Sequence, residues 1–174
     1  MTETNDFQEH LVGWFAGRLP NDWFTAAPGV QFDRDEILVV GSLGEPDLPA
    51  DAGPETKKAA LAAHIQGFRE DTRAQRMRVA DEAQRRFGRK VSWGASCGDH
   101  RALFTTVATP AMTRLRMPER TVLDTLVDAG VARSRSHALA WCVRLVAEKQ
   151  EEWLADLRQA LESVEAVRRE GPTS

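Results

Sequence analysis

The chain has 174 residues, of which 42% are hydrophobic, a net charge of −3 and two cysteines. This length allows one substantial domain or two small ones, and we expect two. No apolar run is long enough to cross a bilayer, and two cysteines on different elements do not make a disulfide framework. The N-terminus is acidic where a signal peptide would be basic, so we expect a cytoplasmic protein.

Residues 1–110 predict an α+β module of unknown role. Apolar residues at helical spacing, including Leu11 and Phe15, predict a short N-terminal helix that ends near Gly17. Two strands are expected next, over residues 30–32 and 36–43, with the acidic turn of Asp33, Arg34 and Asp35 between them. The loop of residues 44–54 is too rich in proline and glycine to be regular.

A single long helix is predicted over residues 55–87, with Gly67 as a place where it bends and Gly88 beyond its end. Residues 89–96 and 102–108 then read as a hairpin that turns at residues 97–100. The economical assembly is an antiparallel four-stranded sheet with the helices on one face.

Candidate chemistry in this module is sparse. Cys97 and His100 have a C-x-x-H spacing, but no second pair stands at matching spacing, so we expect no metal site. The acidic residues near Asp33 are explained by a solvated turn, and no phosphate loop or nucleophile motif is present. We expect no cofactor and no enzymatic activity. The sequence leaves open whether the module senses a ligand, binds a protein or enlarges a dimer contact.

Charge is unevenly distributed along the chain. Residues 1–53 hold 2 basic and 10 acidic side chains, whereas residues 54–90 hold 10 basic and 5 acidic ones. Arg69, Arg73 and Arg76 are spaced by 4 and 3, so they can share one helix face. Such a run is usually a solvated surface, but it is also a candidate auxiliary basic stripe for contacts with phosphates.

Residues 112–118, MTRLRMP, are the most informative stretch. Alternate side chains of a strand point to opposite faces, so Leu115 and Met117 are expected on one face and Met112, Arg114 and Arg116 on the other. The first face is apolar and the second is basic. Pro118 suits the first turn of a helix, so the strand should end there.

Two helices are expected after this strand. Val122, Leu123, Leu126 and Val127 repeat at helical spacing up to Gly130, which is placed to cap the first helix. Ser134 is placed to cap the second helix, which carries Leu139 and Cys142 on its apolar face.

In this order of strand, helix, turn and helix, residues 112–149 resemble the ribbon-helix-helix family of DNA-binding proteins. The resemblance implies that two chains pair their strands into an antiparallel ribbon that enters the major groove. It implies that Met112, Arg114 and Arg116 contact bases and that the helix start at Ser134, Arg135 and Ser136 contacts a phosphate. The two-fold axis implies an inverted-repeat operator.

The sequence therefore favours a homodimeric, bacterial, DNA-binding transcriptional regulator that is associated with the nucleoid when bound. The alternative is a protein-interaction or antitoxin-like dimer, in which residues 111–174 serve mainly dimerisation; an RNA partner for the arginine stripe is less favoured. A C-terminal amphipathic helix extends this second domain, with a heptad seam at Trp153, Leu157, Ala160, Val164 and Val167.

Overall fold

The computed structural model describes residues 2–49 and 51–170, and the side chains of residues 2–5, 162, 165, 167, 169 and 170 lie outside that description. The described chain is a mixed α and β protein with six helices and one four-stranded sheet. It forms two compact units that divide between Pro110 and Ala111. The elements follow in the order α1 (Thr2–Arg18), β1 (Gly29–Phe32), β2 (Glu36–Ser42), α2 (Pro54–Asp71), α3 (Arg73–Phe87), β3 (Lys90–Cys97), β4 (His100–Leu103), α4 (Met117–Asp128), α5 (Arg135–Lys149) and α6 (Glu151–Glu170).

The sheet of the first unit is mixed, so the prediction of an antiparallel sheet is wrong at its centre. The strand order is β1-β2-β3-β4. The outer pairs are antiparallel, but β2 and β3 are parallel, from Glu36 opposite Lys90 to Ser42 opposite Ser96. The physical reason is the connection: α2 and α3 carry the chain back to the end at which β2 began, and a crossover of this length allows a parallel pair.

Two turns of this sheet agree with the prediction. Asp33 Oδ1 accepts hydrogen bonds from the backbone N–H groups of Asp35 and Glu36, each at 2.8 Å, which holds the β1–β2 turn. The β3–β4 hairpin turns between Cys97 and His100, where Gly98 has a φ of 55°. A positive φ of this kind is readily adopted by glycine.

The predicted long helix is two helices, because the chain breaks at Thr72 rather than bending at Gly67. Thr72 has φ −90° and ψ −2°, ending α2 and preceding α3. Its hydroxyl donates to the carbonyl oxygen of Phe68 at 2.6 Å and accepts a hydrogen bond from Arg76 Nε at 2.9 Å, so its side chain contacts both helices at this junction. Gly67 lies inside α2, and Gly88, with φ 71°, ends α3 as expected.

The core of the first unit is rich in aromatic rings. Phe15 and Ile37 are fully buried, and Trp23 lies against Phe68 and Trp93 at ring-centroid distances of 5.7 and 6.3 Å. An ion pair with two hydrogen bonds, of 2.6 and 2.7 Å between Arg18 and Glu82, ties α1 to α3 at the surface.

The second unit has a much smaller core. Among its described side chains, only Leu123, Ala132 and Ala138 are buried hydrophobics, with Leu115, Leu126, Val127, Leu139 and Cys142 packed against them. Within the part of the chain that the structure describes, no helix is both long enough and apolar enough to cross a bilayer.

Candidate nucleic-acid interface

The predicted strand over residues 112–118 is not formed in the single chain. Residues 105–116 have no regular secondary structure, and α4 begins at Met117. An extended segment becomes a strand only when another strand exchanges hydrogen bonds with it, and within residues 111–170 the described chain supplies no such strand. Met117 was expected beside Leu115 on the apolar face, but it is helical and 73% exposed.

The side chains of this segment nevertheless differ sharply in exposure. Leu115 is half-buried and packs on the small core of the second unit. Met112 is fully exposed, and Arg114 and Arg116 are exposed as well. The two arginines therefore present their charge to solvent on either side of an anchored leucine. The carbonyl oxygen of Leu115 accepts a hydrogen bond from Arg120 Nη1 at 2.7 Å, which fixes the backbone at this anchor.

The junction of α4 and α5 is held by local backbone chemistry. Gly130 has φ 74°, and the N–H groups of Gly130 and Val131 donate to the carbonyl oxygens of Val127 and Leu126, each at 3.0 Å. This pair of bonds is the Schellman pattern that ends many helices. Ser134 Oγ then accepts from the N–H of His137 at 3.2 Å, so Ser134 caps α5 as predicted.

The predicted phosphate-contacting residues lie at this capped end. The N–H groups of Arg135 and Ser136 have no intrahelical acceptor, because the first N–H groups of any α-helix lack one. The guanidinium of Arg135 is engaged with Asp124 through hydrogen bonds of 2.6 and 2.7 Å. The hydrogen bonding and the charge of Arg135 lower the pKa of Asp124. In turn, the hydrogen bonding and the charge of Asp124 raise the pKa of Arg135. The geometry offers backbone donors for an anion, with the Arg135 side chain bracing α5 against α4.

The helices of the second unit expose many large apolar side chains. Val122 is 55% exposed, Val143 63% and Trp153 55%. On α6, the heptad positions Leu157 and Val164 are also exposed, while the side chain of Val167 lies outside the described residues. The second unit thus shows solvent an apolar surface that is large for so small a core.

The arginines of the predicted stripe do not share one solvated helix face. Arg69 lies near the end of α2 and Arg73 at the start of α3, where both are exposed, but Arg76 is only 5% exposed. The break at Thr72 separates the two helices, and all three arginines line one cleft. Sequence reasoning missed the aromatic residues of this cleft, Trp93 and Phe104, because they come from the sheet and the segment after it.

The other polar candidates have structural explanations. Cys97 is buried, and its Sγ lies 3.4 Å from the carbonyl oxygen of Gly44. Burial raises the pKa of the thiol, and the negative charge of Glu45 raises it further. Hydrogen bonds from the backbone of Asp35 and Glu36 lower the pKa of Asp33. Within the described residues, no three His, Cys, Asp or Glu side chains are placed to hold a metal ion.

These features define a two-unit protein, with an α+β unit followed by a helical unit. The helical unit carries an exposed basic segment, residues 112–116. Comparison with known proteins divides it in the same way. Residues 9–103 match the N-terminal domain of the Rv1265-like proteins, and residues 116–168 match the Mb1296 C-terminal domain. The chain belongs to the Rv1265-like family.

Mycobacterial relatives cover most of the chain. The uncharacterized proteins Mb1296 of Mycobacterium bovis and Rv1265 and MT1303 of Mycobacterium tuberculosis are each 58% identical to it over 160 residues. The aligned part is 91% of this chain and 69% of each relative. No solved structure is significantly similar to the chain.

Proposed function

We propose that the protein is a homodimeric, sequence-specific DNA-binding transcriptional regulator with a ribbon-helix-helix unit in residues 112–149. Two copies pair residues 112–116 into an antiparallel ribbon, and Arg114 and Arg116 read bases in the major groove of an inverted-repeat operator. The observation that carries the proposal is the exposure pattern of this segment, where Leu115 packs inward and both arginines face solvent. Arginine is the commonest reader of guanine, through paired hydrogen bonds to O6 and N7.

The small core of the second unit supports the proposal that the protein is a homodimer. The three buried hydrophobic side chains among its described residues give a unit of this size little hydrophobic stabilisation, whereas exposed apolar residues such as Val122 and Val143 lie on α4 and α5. A partner that covers these helices removes apolar area from water at about 25 cal/mol per Å². Dimerisation and completion of the ribbon are then one event, because the backbone groups of residues 112–116 find their partners in the other copy.

The capped start of α5 supports contact with the DNA backbone. The N–H groups of Arg135 and Ser136 lie at the positive end of the helix dipole, where a phosphate oxygen is favoured. Such contacts position a protein on the duplex and carry no sequence information, so they complement the two arginines.

A protein-interaction or antitoxin-like dimer is the second candidate. Met112 is 100% exposed at a position that would face the bases, and an apolar side chain there suits a protein surface. The exposed apolar residues of α6, among them Leu161 at 62%, could also serve a protein partner rather than a second copy.

The double variant Arg114→Ala with Arg116→Ala tests the proposal against a matched control. The control, Arg144→Ala with Arg158→Ala, removes the same charge from exposed positions on α5 and α6. Genomic fragments are selected with each purified full-length protein at near-physiological salt, and the mass of each protein is measured by light scattering. We expect the wild type and the control to enrich one inverted repeat, and the ribbon variant to lose it while remaining a dimer.

Two outcomes would count against the regulator. If the ribbon variant keeps specific binding, the arginines do not read the operator. If no fragment is enriched by a dimeric wild type at any salt concentration, the protein-interaction dimer becomes the better assignment. The variant Leu115→Asp checks the facing of the segment, since a stable dimer carrying this change would contradict its packing on the core.

A further inference from the structure

Arg76 is a buried cation that has no carboxylate partner among the described residues. It is 5% exposed, and none of the ion pairs of the described residues includes it. Its Nε donates to Thr72 Oγ1 at 2.9 Å and its Nη2 to the carbonyl oxygen of Arg69 at 2.5 Å. A guanidinium has five N–H groups, so these bonds leave donors over. A buried charge is costly unless an opposite charge compensates it.

The surroundings of Arg76 make this charge imbalance larger. Arg69 and Arg73 line the same cleft. Burial lowers the pKa of Arg76, and repulsion from these two arginines lowers it further. Among the described residues, Glu70 is the only acidic one that lines the cleft, and one of its carboxylate oxygens accepts a hydrogen bond from Gln66 at 2.5 Å. Three cations thus face one carboxylate, which leaves an excess of positive charge.

The floor of the cleft is apolar and aromatic. The ring of Phe104 lies under two of the arginines, with its centroid 4.8 Å from Cζ of Arg76 and 5.9 Å from Cζ of Arg69. Val91 and Trp93 continue the floor, and the buried Nε1 of Trp93 has no hydrogen-bond partner among the described residues. The cleft has a volume of about 580 Å³, within the range of roughly 300–1,000 Å³ typical of small-molecule sites.

We propose that this cleft in the first unit binds a small organic phosphomonoester, with the dianionic phosphate at Arg69, Arg73 and Arg76 and the apolar part on Phe104, Trp93 and Val91. A dianion matches the excess of positive charge and accepts charge-assisted hydrogen bonds from the spare guanidinium donors. A DNA backbone matches this site less well, because a phosphodiester carries only one negative charge and Arg76 is only 5% exposed. All of the lining residues belong to the first unit.

Titration calorimetry on the full chain tests this assignment, with phenyl phosphate, inorganic phosphate and phenol as probes. The test variant is Arg69→Gln with Arg73→Gln, since both side chains are exposed and their loss leaves the buried Arg76 network intact. The control is Arg34→Gln with Arg78→Gln, which removes the same charge from exposed positions outside the cleft. Far-ultraviolet circular dichroism checks that all variants fold.

Phenyl phosphate is expected to bind one site per chain, more tightly than inorganic phosphate, while phenol shows no saturable binding. The test variant should weaken phenyl phosphate binding at least about tenfold, and the control variant less than about twofold. Absence of saturable phenyl phosphate binding would overturn the proposal, as would equal weakening in test and control variants. Equal affinity for phenyl phosphate and inorganic phosphate would overturn the placement of the apolar part on the aromatic floor.

Discussion

Replacing Gly41 by alanine should strain the core of the first unit. A Cβ atom added at Gly41, in β2, would lie 2.1 Å from Cδ1 and 2.2 Å from Cε1 of Phe24. Carbon atoms pack at about 3.5–4.0 Å, so the Phe24 ring must retreat by roughly 1.5 Å. That ring already packs against Trp23 and Phe68, at centroid distances of 6.1 and 5.4 Å, and its movement disturbs both.

The expected cost follows from this overlap. Overpacking a close-packed core costs about 1–3 kcal/mol. Phe24 is half-buried against the core, so we expect the lower part of this range, about 1–2 kcal/mol, which lowers the melting temperature of a unit of this size by roughly 5–15 °C. The matched control is Gly29→Ala in the adjacent strand β1. Its added Cβ meets only the carbonyl oxygen of Val40, at an ordinary 3.7 Å, so a change within about 0.5 kcal/mol is expected.

Thermal unfolding of the full chain, followed by circular dichroism and tryptophan fluorescence, measures both variants. Trp23 and Trp93 report on the packing around Phe24, because both belong to the same aromatic cluster. If Gly41→Ala melts at the same temperature as Gly29→Ala, the ring of Phe24 is not confined as described, and the packing argument fails.

Three further predictions concern the turn, the small core and the cap. Backbone hydrogen bonds lower the pKa of Asp33 in the folded state, so its stabilisation is present above its ordinary pKa of about 3.9 and is lost as the pH falls through the folded value. The variant Asp33→Asn should therefore lose less free energy of unfolding than the wild type when the pH falls from about 5 to about 2, as measured by urea titrations. Leu123→Ala should lower the free energy of unfolding of the second unit by about 2–5 kcal/mol in urea titrations. Ser134→Ala should cost about 1 kcal/mol by the same measurement, and Ser134→Asp should retain the cap.

The features that could be predicted from the sequence depend on residues close together in the chain. The Asp33 turn, the hairpin at residues 97–100, the end of α4 at Gly130 and the cap at Ser134 each rest on bonds that span a few residues. Local chemistry of this kind is the same in almost any fold, so residue type and spacing are enough to predict it.

Prediction from the sequence fails where residues that are distant in the chain decide the structure. Whether β3 pairs parallel or antiparallel with β2 depends on the direction in which α2 and α3 return the chain, which no local pattern states. Thr72 fits a helical pattern by spacing, and only its backbone angles, φ −90° and ψ −2°, show that it separates two helices. The spacing of the three arginines predicts a stripe rather than a cleft for the same reason, since Phe104 and Trp93 join them from elsewhere in the chain.

The basic segment of the second unit raises a different difficulty, because the partner of its backbone would lie in another chain. Within the described residues, a single copy does not contain the hydrogen bonds that would make residues 112–116 a strand. If a second copy supplies them, as we propose, the ribbon exists only in the dimer. The apparent affinity for DNA must then fall when the protein concentration drops below the dissociation constant of the dimer. Under this proposal folding, dimerisation and base reading are coupled, since Leu115 packs on the core of the second unit and its neighbours Arg114 and Arg116 would contact the operator.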